Sequence, residues 1–248
     1  MGHGTKPTEM GMNRTGIATS PVDVKAMIDG ANAGAPIASD GQAVEQEQLS
    51  WAREAGPVGT MPPPASLKNV AKAAVELMKG KKATVLLDLM GERLAFERTG
   101  TRLYECLLVK LEAAGAHPEG PTRAELERIR GEELKHFAML KEAIEQLGAD
   151  PTVITPSADV AGVAAQGWVQ ALGDPRVTLT EALRVILAAE LVDNESWLAL
   201  ADLAGRLGQN DLAGKFRAAL LEEEQHLVLV RKWANAALAG QAGAAASP

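Results

Sequence analysis

Two kinds of residue in this chain are suited to binding a metal ion: single glutamates and Glu-x-x-His motifs. They alternate along the sequence in the order Glu97, Glu133-x-x-His136, Glu190 and Glu223-x-x-His226. Residues three apart face the same side of an α-helix, so each motif offers a carboxylate oxygen and an imidazole nitrogen to one point. This donor set favours iron or manganese, with zinc also suitable, over calcium or magnesium. The spacing therefore predicts a metal site built from two similar halves.

Long helices are predicted to carry these residues. Apolar residues recur at helical spacing in four blocks, roughly 82–114, 122–147, 178–207 and 210–238. A Gly- and Pro-rich run separates the first two blocks, and Thr122 with Glu125 predicts a capping box at the start of the second. About thirty residues (148–177) join the second block to the third, enough to cross a bundle from end to end. The fold class is therefore all-α: two helical hairpins joined by one long crossover.

The polar residues interrupt the apolar stripes at mid-helix. Burying unpaired carboxylates would cost several kcal/mol each. We find no Lys or Arg in these stripes, so we expect two divalent cations to balance the four glutamates. Asp193 shares the stripe of Glu190 and is either an extra ligand, a hydrogen-bonding neighbour or part of a solvated face. We expect the three other glutamates next to the motifs to be solvated; these are Glu132, Glu222 and Glu224.

Composition divides the chain into a helical region and two flanking segments. Residues 1–80 contain three leucines and many Gly, Pro, Ala and Ser, which is too little apolar bulk for an independent core. We predict an N-terminal arm over 1–80, extended or partly helical, with short helices near 22–28, 45–53 and 66–78. The helical domain is predicted over 81–240 and a flexible tail over 241–248.

The overall composition argues against several classes of protein. A net charge of −7 disfavours nucleic acid as a partner, because a phosphate backbone requires a basic face. We find neither an apolar run of the roughly 20 residues that a membrane span needs nor a signal peptide, and therefore expect a cytoplasmic protein. The single cysteine, Cys106, excludes a disulfide framework or a cysteine-based metal site within the chain.

Residues 82–238, with these motifs in order, resemble the ferritin-like di-metal carboxylate proteins, such as rubrerythrin and bacterioferritin. Such proteins have a four-helix bundle with a glutamate on each of two helices, a Glu-x-x-His on each of the others, and a long crossover. The resemblance implies two iron ions per chain, or alternatively manganese. One ion would be held by Glu97, Glu133 and His136, the other by Glu190, Glu223 and His226, with one or two glutamates bridging. Tyr104, seven residues after Glu97, matches a tyrosine that hydrogen-bonds near the metals in such proteins.

The activity that the resemblance implies is reaction with O2 or hydrogen peroxide, as in a peroxidase or oxidase like rubrerythrin. This chain lacks the Cys-x-x-Cys pairs of a rubredoxin domain, so an electron donor would be a separate molecule. Catalase-like disproportionation on manganese needs no donor and fits the same ligands.

Two further functions remain open at this stage. The first is iron oxidation and storage, although an arm of 80 residues is unusual for a cage-forming ferritin and favours a homodimer. The second is a non-enzymatic helical scaffold whose stripe residues form a buried polar network. Metal analysis separates the scaffold from the other functions.

Overall fold

The described part of the chain is entirely helical, as the periodicity predicted. The structure is a computed structural model that describes residues 21–34, 42–56, 81–115 and 119–243. These residues form seven α-helices and no strand: α1 Pro21–Ala33, α2 Gln42–Glu54, α3 Lys81–Ala114, α4 Arg123–Gln146, α5 Pro156–Gly173, α6 Leu179–Arg206 and α7 Asn210–Gln241. None of these helices is long and apolar enough to cross a membrane.

The chain divides into two compact units at Gly56. The first contains α1 and α2, which confirm the short helices predicted near 22–28 and 45–53. The third short helix predicted in the arm, near 66–78, lies outside the described residues, as do residues 244–248 of the tail. The second unit contains α3 to α7 and every predicted metal ligand.

Two helical hairpins form the body of the second unit. Helix α3 packs along α4 and helix α6 along α7, while α3 also contacts α6, and α4 contacts α7. Helix α4 begins with the predicted capping box, in which Thr122 and Glu125 satisfy each other's backbone N–H groups. Thr178 caps α6 in the same way. Gly208, at φ 72°, makes the tight turn into α7 that a side chain would disfavour.

The crossover contains a helix that the sequence did not predict. Helix α5 packs on α3 and α6 and is rich in Ala, Gly and Val, so it lacks a strong stripe of large apolar residues. Its start is fixed to α3 by Asp88, whose carboxylate accepts hydrogen bonds from the backbone N–H and the hydroxyl of Ser157. Gly91 permits this close approach, because a Cβ there would lie 2.6 Å from Thr155 Cγ2.

Apolar residues fill the interior in two clusters. One includes Leu103, Leu107, Leu126, Ile129, Ile186 and Val230. The other includes Met90, Leu140, Trp197, Leu200 and Phe216. Along each of the four long helices, the predicted ligands fall between the residues of these two clusters. The helices therefore hold a polar layer between two apolar layers.

Candidate metal centre

The buried polar residues of the described chain all belong to the four long helices. They are Arg93, Glu97, Glu133, His136, Glu190, Asp193, Glu223 and His226, and none is more than 4% exposed. The set contains all six predicted ligands, and adds an aspartate and an arginine. Helix α3, α4, α6 and α7 contribute two residues each.

Ligand atoms of these residues form three groups within which all atoms lie within 4.8 Å of one another. The groups are Glu97, His136 and Glu223; Glu133, Glu190, Glu223 and His226; and Glu97, Glu133, Asp193 and Glu223. Each histidine thus has its own group. Glu133 lies in the group of His226, whereas the resemblance placed it with His136 of its own motif. Glu223 belongs to all three groups, whereas Glu97 and Glu133 each belong to two.

Glu223 lies between the two imidazoles. Its Oε1 is 2.7 Å from Nδ1 of His136, and its Oε2 is 2.9 Å from Nδ1 of His226. Both Nδ1 atoms therefore face the interior of the cluster. Each also has a second carboxylate at 3.6 Å, Glu97 for His136 and Glu133 for His226.

These contacts shift the pKa values of the cluster. Burial alone would lower the pKa of His136, but contacts with Glu223 and Glu97 outweigh it and raise it to about 10. The pKa of His226 rises to about 9 for the corresponding reason. Burial raises the pKa of Glu190 to about 8, whereas the two imidazoles overcome burial and lower that of Glu223 to about 2. Without metal, the cluster therefore holds protons at neutral pH in the positions where cations would bind.

The outer nitrogen of each imidazole is held by a glutamate from the other hairpin. Nε2 of His226 donates to Oε2 of Glu132 at 2.8 Å, and Nε2 of His136 donates to Oε2 of Glu222 at 3.0 Å. Glu222 is exposed, as predicted for a solvated neighbour, and Glu132 is only partly so, but the prediction missed the contact that each makes with an imidazole. These carboxylates orient the rings by accepting a hydrogen bond from each Nε2, so that Nδ1 faces the interior and can bind a metal ion once its own proton is released.

Tyr104 and Asn194 hold two of the glutamates from α6 and α7. The buried hydroxyl of Tyr104 donates to Oε1 of Glu190, which belongs to the other hairpin. The side-chain amide of Asn194 donates to the backbone oxygens of both Glu190 and Glu223 at 3.0 Å. It therefore links α6 to α7 at the residues that carry these two carboxylates. Trp197, seven residues after Glu190, packs edge-on against His136 with ring centroids 5.5 Å apart.

Arg93 contradicts the expectation that no basic residue lies in the stripes. It is fully buried, and its Nη1 lies 2.6 Å from Oδ1 of Asp193. The arginine precedes Glu97 by one helical turn, so its position on the same face of α3 was the sequence signal that could have revealed it. Asp193 is buried and ion-paired, which excludes the solvated face considered for it.

Gly100 makes room for the carboxylate of Glu133. A Cβ at this position would lie 2.2 Å from Oε2 of Glu133, a distance that real side chains do not adopt. Glycine in a helix interior costs roughly 0.5–1 kcal/mol relative to alanine. Gly100 thus lets the α4 glutamate reach the interior against α3.

Several ligand atoms have no hydrogen-bond partner in the described chain. They are both carboxylate oxygens of Glu97, Oε2 of Glu133 and Oε2 of Glu190, while Nδ1 of His136 and Oε1 of Glu223 have only their ion-pair contact with each other at 2.7 Å. Buried polar atoms are normally satisfied, and each that is not costs about 1–3 kcal/mol. Unpaired carboxylate oxygens gathered within coordination distance of two imidazoles fit bound divalent ions.

A cavity of about 510 Å³ lies elsewhere, between α3, α4, α5 and residues 151–154. Its wall includes Leu94, Phe96, Phe137 and Val153, but none of the six predicted ligands. Phe96 and Phe137 each neighbour a predicted ligand in sequence while facing this cavity. None of the residues proposed as ligands therefore faces this cavity.

Searches of protein-family models, curated proteins and solved structures find no match to this chain. The functional argument therefore depends on the residues and their geometry.

Proposed function

We propose that the protein is a non-haem di-metal protein, with iron or alternatively manganese, that reacts with O2 or hydrogen peroxide. The observation that carries the proposal is the buried convergence of four glutamates and two histidines with unpaired ligand atoms. Their order along four long helices matches the ferritin-like arrangement described above.

The ligands divide naturally around the two histidines. His136 with Glu97 would hold one ion, and His226 with Glu190 the other, while Glu133 and Glu223 would be shared. The shared role of Glu223 follows from its place in the groups of both histidines, and that of Glu133 from its place in the group of His226 and in the motif of His136. The bound metals would supply the redox chemistry, which amino-acid side chains cannot provide.

The chain itself supplies position, charge and protection from water. Glu132 and Glu222 hold the imidazoles so that Nδ1 faces inwards. The Tyr104 hydroxyl donates a hydrogen bond to Oε1 of Glu190, and burial raises the pKa of this tyrosine well above its ordinary value. Tyr104 thus keeps its proton at neutral pH and can stabilise negative charge on Glu190. The apolar layers on both sides exclude bulk water from the reacting region.

The test is stopped-flow absorbance, which measures the rate of iron oxidation in the ferrous wild type and in two variants. Mixing with hydrogen peroxide or O2 should oxidise the wild type far faster than a Glu133→Ala/His136→Ala variant. Glu224→Ala is the matched control, because this exposed glutamate adjoins Glu223 and lies outside the groups of ligand atoms. Equal rates in all three proteins would contradict the proposal. Rapid oxidation with retention of many irons per chain would instead favour iron storage.

A non-enzymatic helical scaffold is the second candidate, because the cluster also contains internal ion pairs. Glu223 contacts both imidazoles, and Arg93 pairs with Asp193, so part of the buried charge is balanced by the protein. A scaffold would stay metal-free after purification and after incubation with Fe²⁺ or Mn²⁺, with full helicity and unchanged thermal stability.

A further inference from the structure

The third group of acidic ligand atoms resembles an additional metal position. It consists of Glu97, Glu133, Asp193 and Glu223, and it contains no histidine. Three of these residues also belong to the histidine-containing groups, so Asp193 is the member that is particular to it. On its donor atoms alone, this group would accept a third ion beside the proposed pair.

A guanidinium already lies at this group. Nη1 of Arg93 is 2.6 Å from Oδ1 of Asp193 and also donates to the Asp193 backbone oxygen at 3.2 Å. Nη2 lies 3.9 Å from Oε1 of Glu97. Nε and Nη2 have no hydrogen-bond partner in the described chain, although Arg93 is fully buried. Nη2 of Arg93 is therefore an unsatisfied donor beside the acidic group.

The position of Arg93 is fixed by aromatic packing. Its guanidinium carbon lies 4.2 Å from the ring centroid of Phe96 and 5.8 Å from that of Trp197. Arginine remains protonated even when buried, and its flat cation stacks well on aromatic rings. A permanent positive charge is thus held on the α3 side of the cluster.

The charges of the buried residues balance with two divalent ions. Five carboxylates lie in the interior, those of the four predicted glutamate ligands and Asp193. Arg93 compensates one of their negative charges, which leaves four for two divalent cations. A third divalent ion would leave two positive charges in excess in an apolar interior, where unbalanced charge is expensive. Glu92, whose Oε2 lies 3.9 Å from Nε of Arg93, keeps 15% of its side chain exposed and lies outside the fully buried set.

We infer that Arg93 is a built-in third cation that keeps Asp193 out of the ligand set and limits the centre to two divalent ions. The inference rests on the proposed metal-binding function. It makes Arg93 a positioning residue: Asp193 can bind a metal only if it gives up its ion pair with the guanidinium.

Metal counting on the full-length chain tests this role. Metal-free protein is titrated with Mn²⁺, and bound ions are counted by equilibrium dialysis and native mass spectrometry. The wild type should bind two ions per chain. Arg93→Met removes the internal cation and should bind more than two, with a new mononuclear Mn²⁺ signal in the electron paramagnetic resonance spectrum. Arg93→Lys and the Arg93→Met/Asp193→Asn variant should both return to two ions, because each restores the charge balance.

Two results would overturn the inference. The first is an Arg93→Met variant that stays helical by circular dichroism and binds ions as the wild type does. The second is an Asp193→Asn variant that binds fewer ions than the wild type, since Asp193 would then be a ligand. If Arg93→Met does not fold, Asp193→Asn decides: two ions bound more weakly support the inference, because the site has become more positive.

The same titration separates this inference from the proposed function. A wild type that binds no ion contradicts the di-metal proposal. In that case a gain of metal binding in Arg93→Met would still support Arg93 as the internal cation, and no gain would overturn that role as well.

Discussion

His226 and Glu132 lie 94 residues apart and on different hairpins, yet Nε2 of the imidazole donates to Oε2 of the carboxylate at 2.8 Å. Arg128, one turn earlier on α4, also donates to this carboxylate oxygen. The mirrored contact joins His136 to Glu222. Each Glu-x-x-His motif is thus oriented by the residue that precedes the other motif, so the two halves of the centre depend on each other.

Replacing Glu132 by alanine should therefore weaken metal binding while leaving the ligands in place. Loss of an outer partner of a metal-bound histidine typically reduces affinity about 10–100-fold. Competitive titration with a metal-sensitive dye measures the effect. Glu127→Ala, an exposed glutamate on the same helix, is the matched control. If Glu132→Ala and Glu127→Ala bind metal with the affinity of the wild type, the hydrogen bond has no orienting role.

Gly100→Ala should displace the carboxylate of Glu133, because the new methyl group would lie 2.2 Å from its Oε2. We expect metal affinity to fall strongly, with helicity retained. Gly131→Ala on α4 is the control, since nothing lies within 4 Å of its added Cβ. That substitution should leave metal binding unchanged and raise the free energy of unfolding by about 0.4–1 kcal/mol. The two variants are compared by metal titration and urea unfolding; equal metal affinity would refute the steric argument.

Tyr104→Phe should remove the hydrogen bond to Glu190 without opening a large cavity. The buried Glu190 oxygen loses its donor, which should lower the free energy of unfolding of the metal-free protein by about 1–3 kcal/mol. Denaturant unfolding with and without bound metal measures this change. The loss should be smaller in the metal-loaded protein, where an ion binds the carboxylate. An identical loss in both forms would show that bound metal does not stabilise the Glu190 carboxylate.

The metal-free protein should become less stable as the pH rises. The pKa values of His136 and His226, about 10 and about 9, exceed the ordinary value of 6.5. Their stabilisation is therefore fully present below about pH 6.5 and is lost as the pH rises through about 9 to 10. Glu190 acts in the same direction, since its pKa of about 8 lies above the 4.5 of an ordinary glutamate.

Metal binding should show the opposite dependence on pH. Each ion displaces the proton on an inward-facing Nδ1, so affinity should rise with pH and about two protons should be released per chain from the imidazoles. Calorimetric titration in buffers of different ionisation enthalpy counts these protons. The control is a His136→Ala/His226→Ala variant without metal. Its free energy of unfolding, measured with denaturant over the same range of pH, should depend much less on pH than that of the wild type. Metal affinity that does not change between pH 6.5 and 9 would contradict protonated imidazoles in the metal-free cluster.

The buried polar cluster could be predicted from the sequence because each of the six proposed ligands replaces an aliphatic residue in a strongly periodic helix. Glu97 and Glu133 interrupt such stripes at mid-helix, where a solvated role is impossible once the apolar neighbours are buried. The capping box at Thr122 was equally local, since it depends on two residues three apart. Local periodicity thus predicted the helices, the polar layer and the residues within it.

The partners of these ligands depend on how the hairpins pack, which no local pattern specifies. Asp193 lies 100 residues from Arg93, and neither position indicates that the other is near. The contact of Glu222 with His136 likewise requires α4 and α7 to lie side by side with these two residues at the same level of the bundle. Helix α5 was not predicted for a different reason. Its residues are mostly small, so large apolar side chains do not recur along it at helical spacing.

The most direct test of the account is a crystal structure of the protein as purified, with anomalous difference maps recorded at the iron and manganese absorption edges. The account predicts two anomalous peaks within the polar layer, one beside Nδ1 of His136 and the other beside Nδ1 of His226, with Glu223 contacting both. A map without peaks after incubation with Fe²⁺ or Mn²⁺, in which Glu223 still contacts both imidazoles, would contradict it.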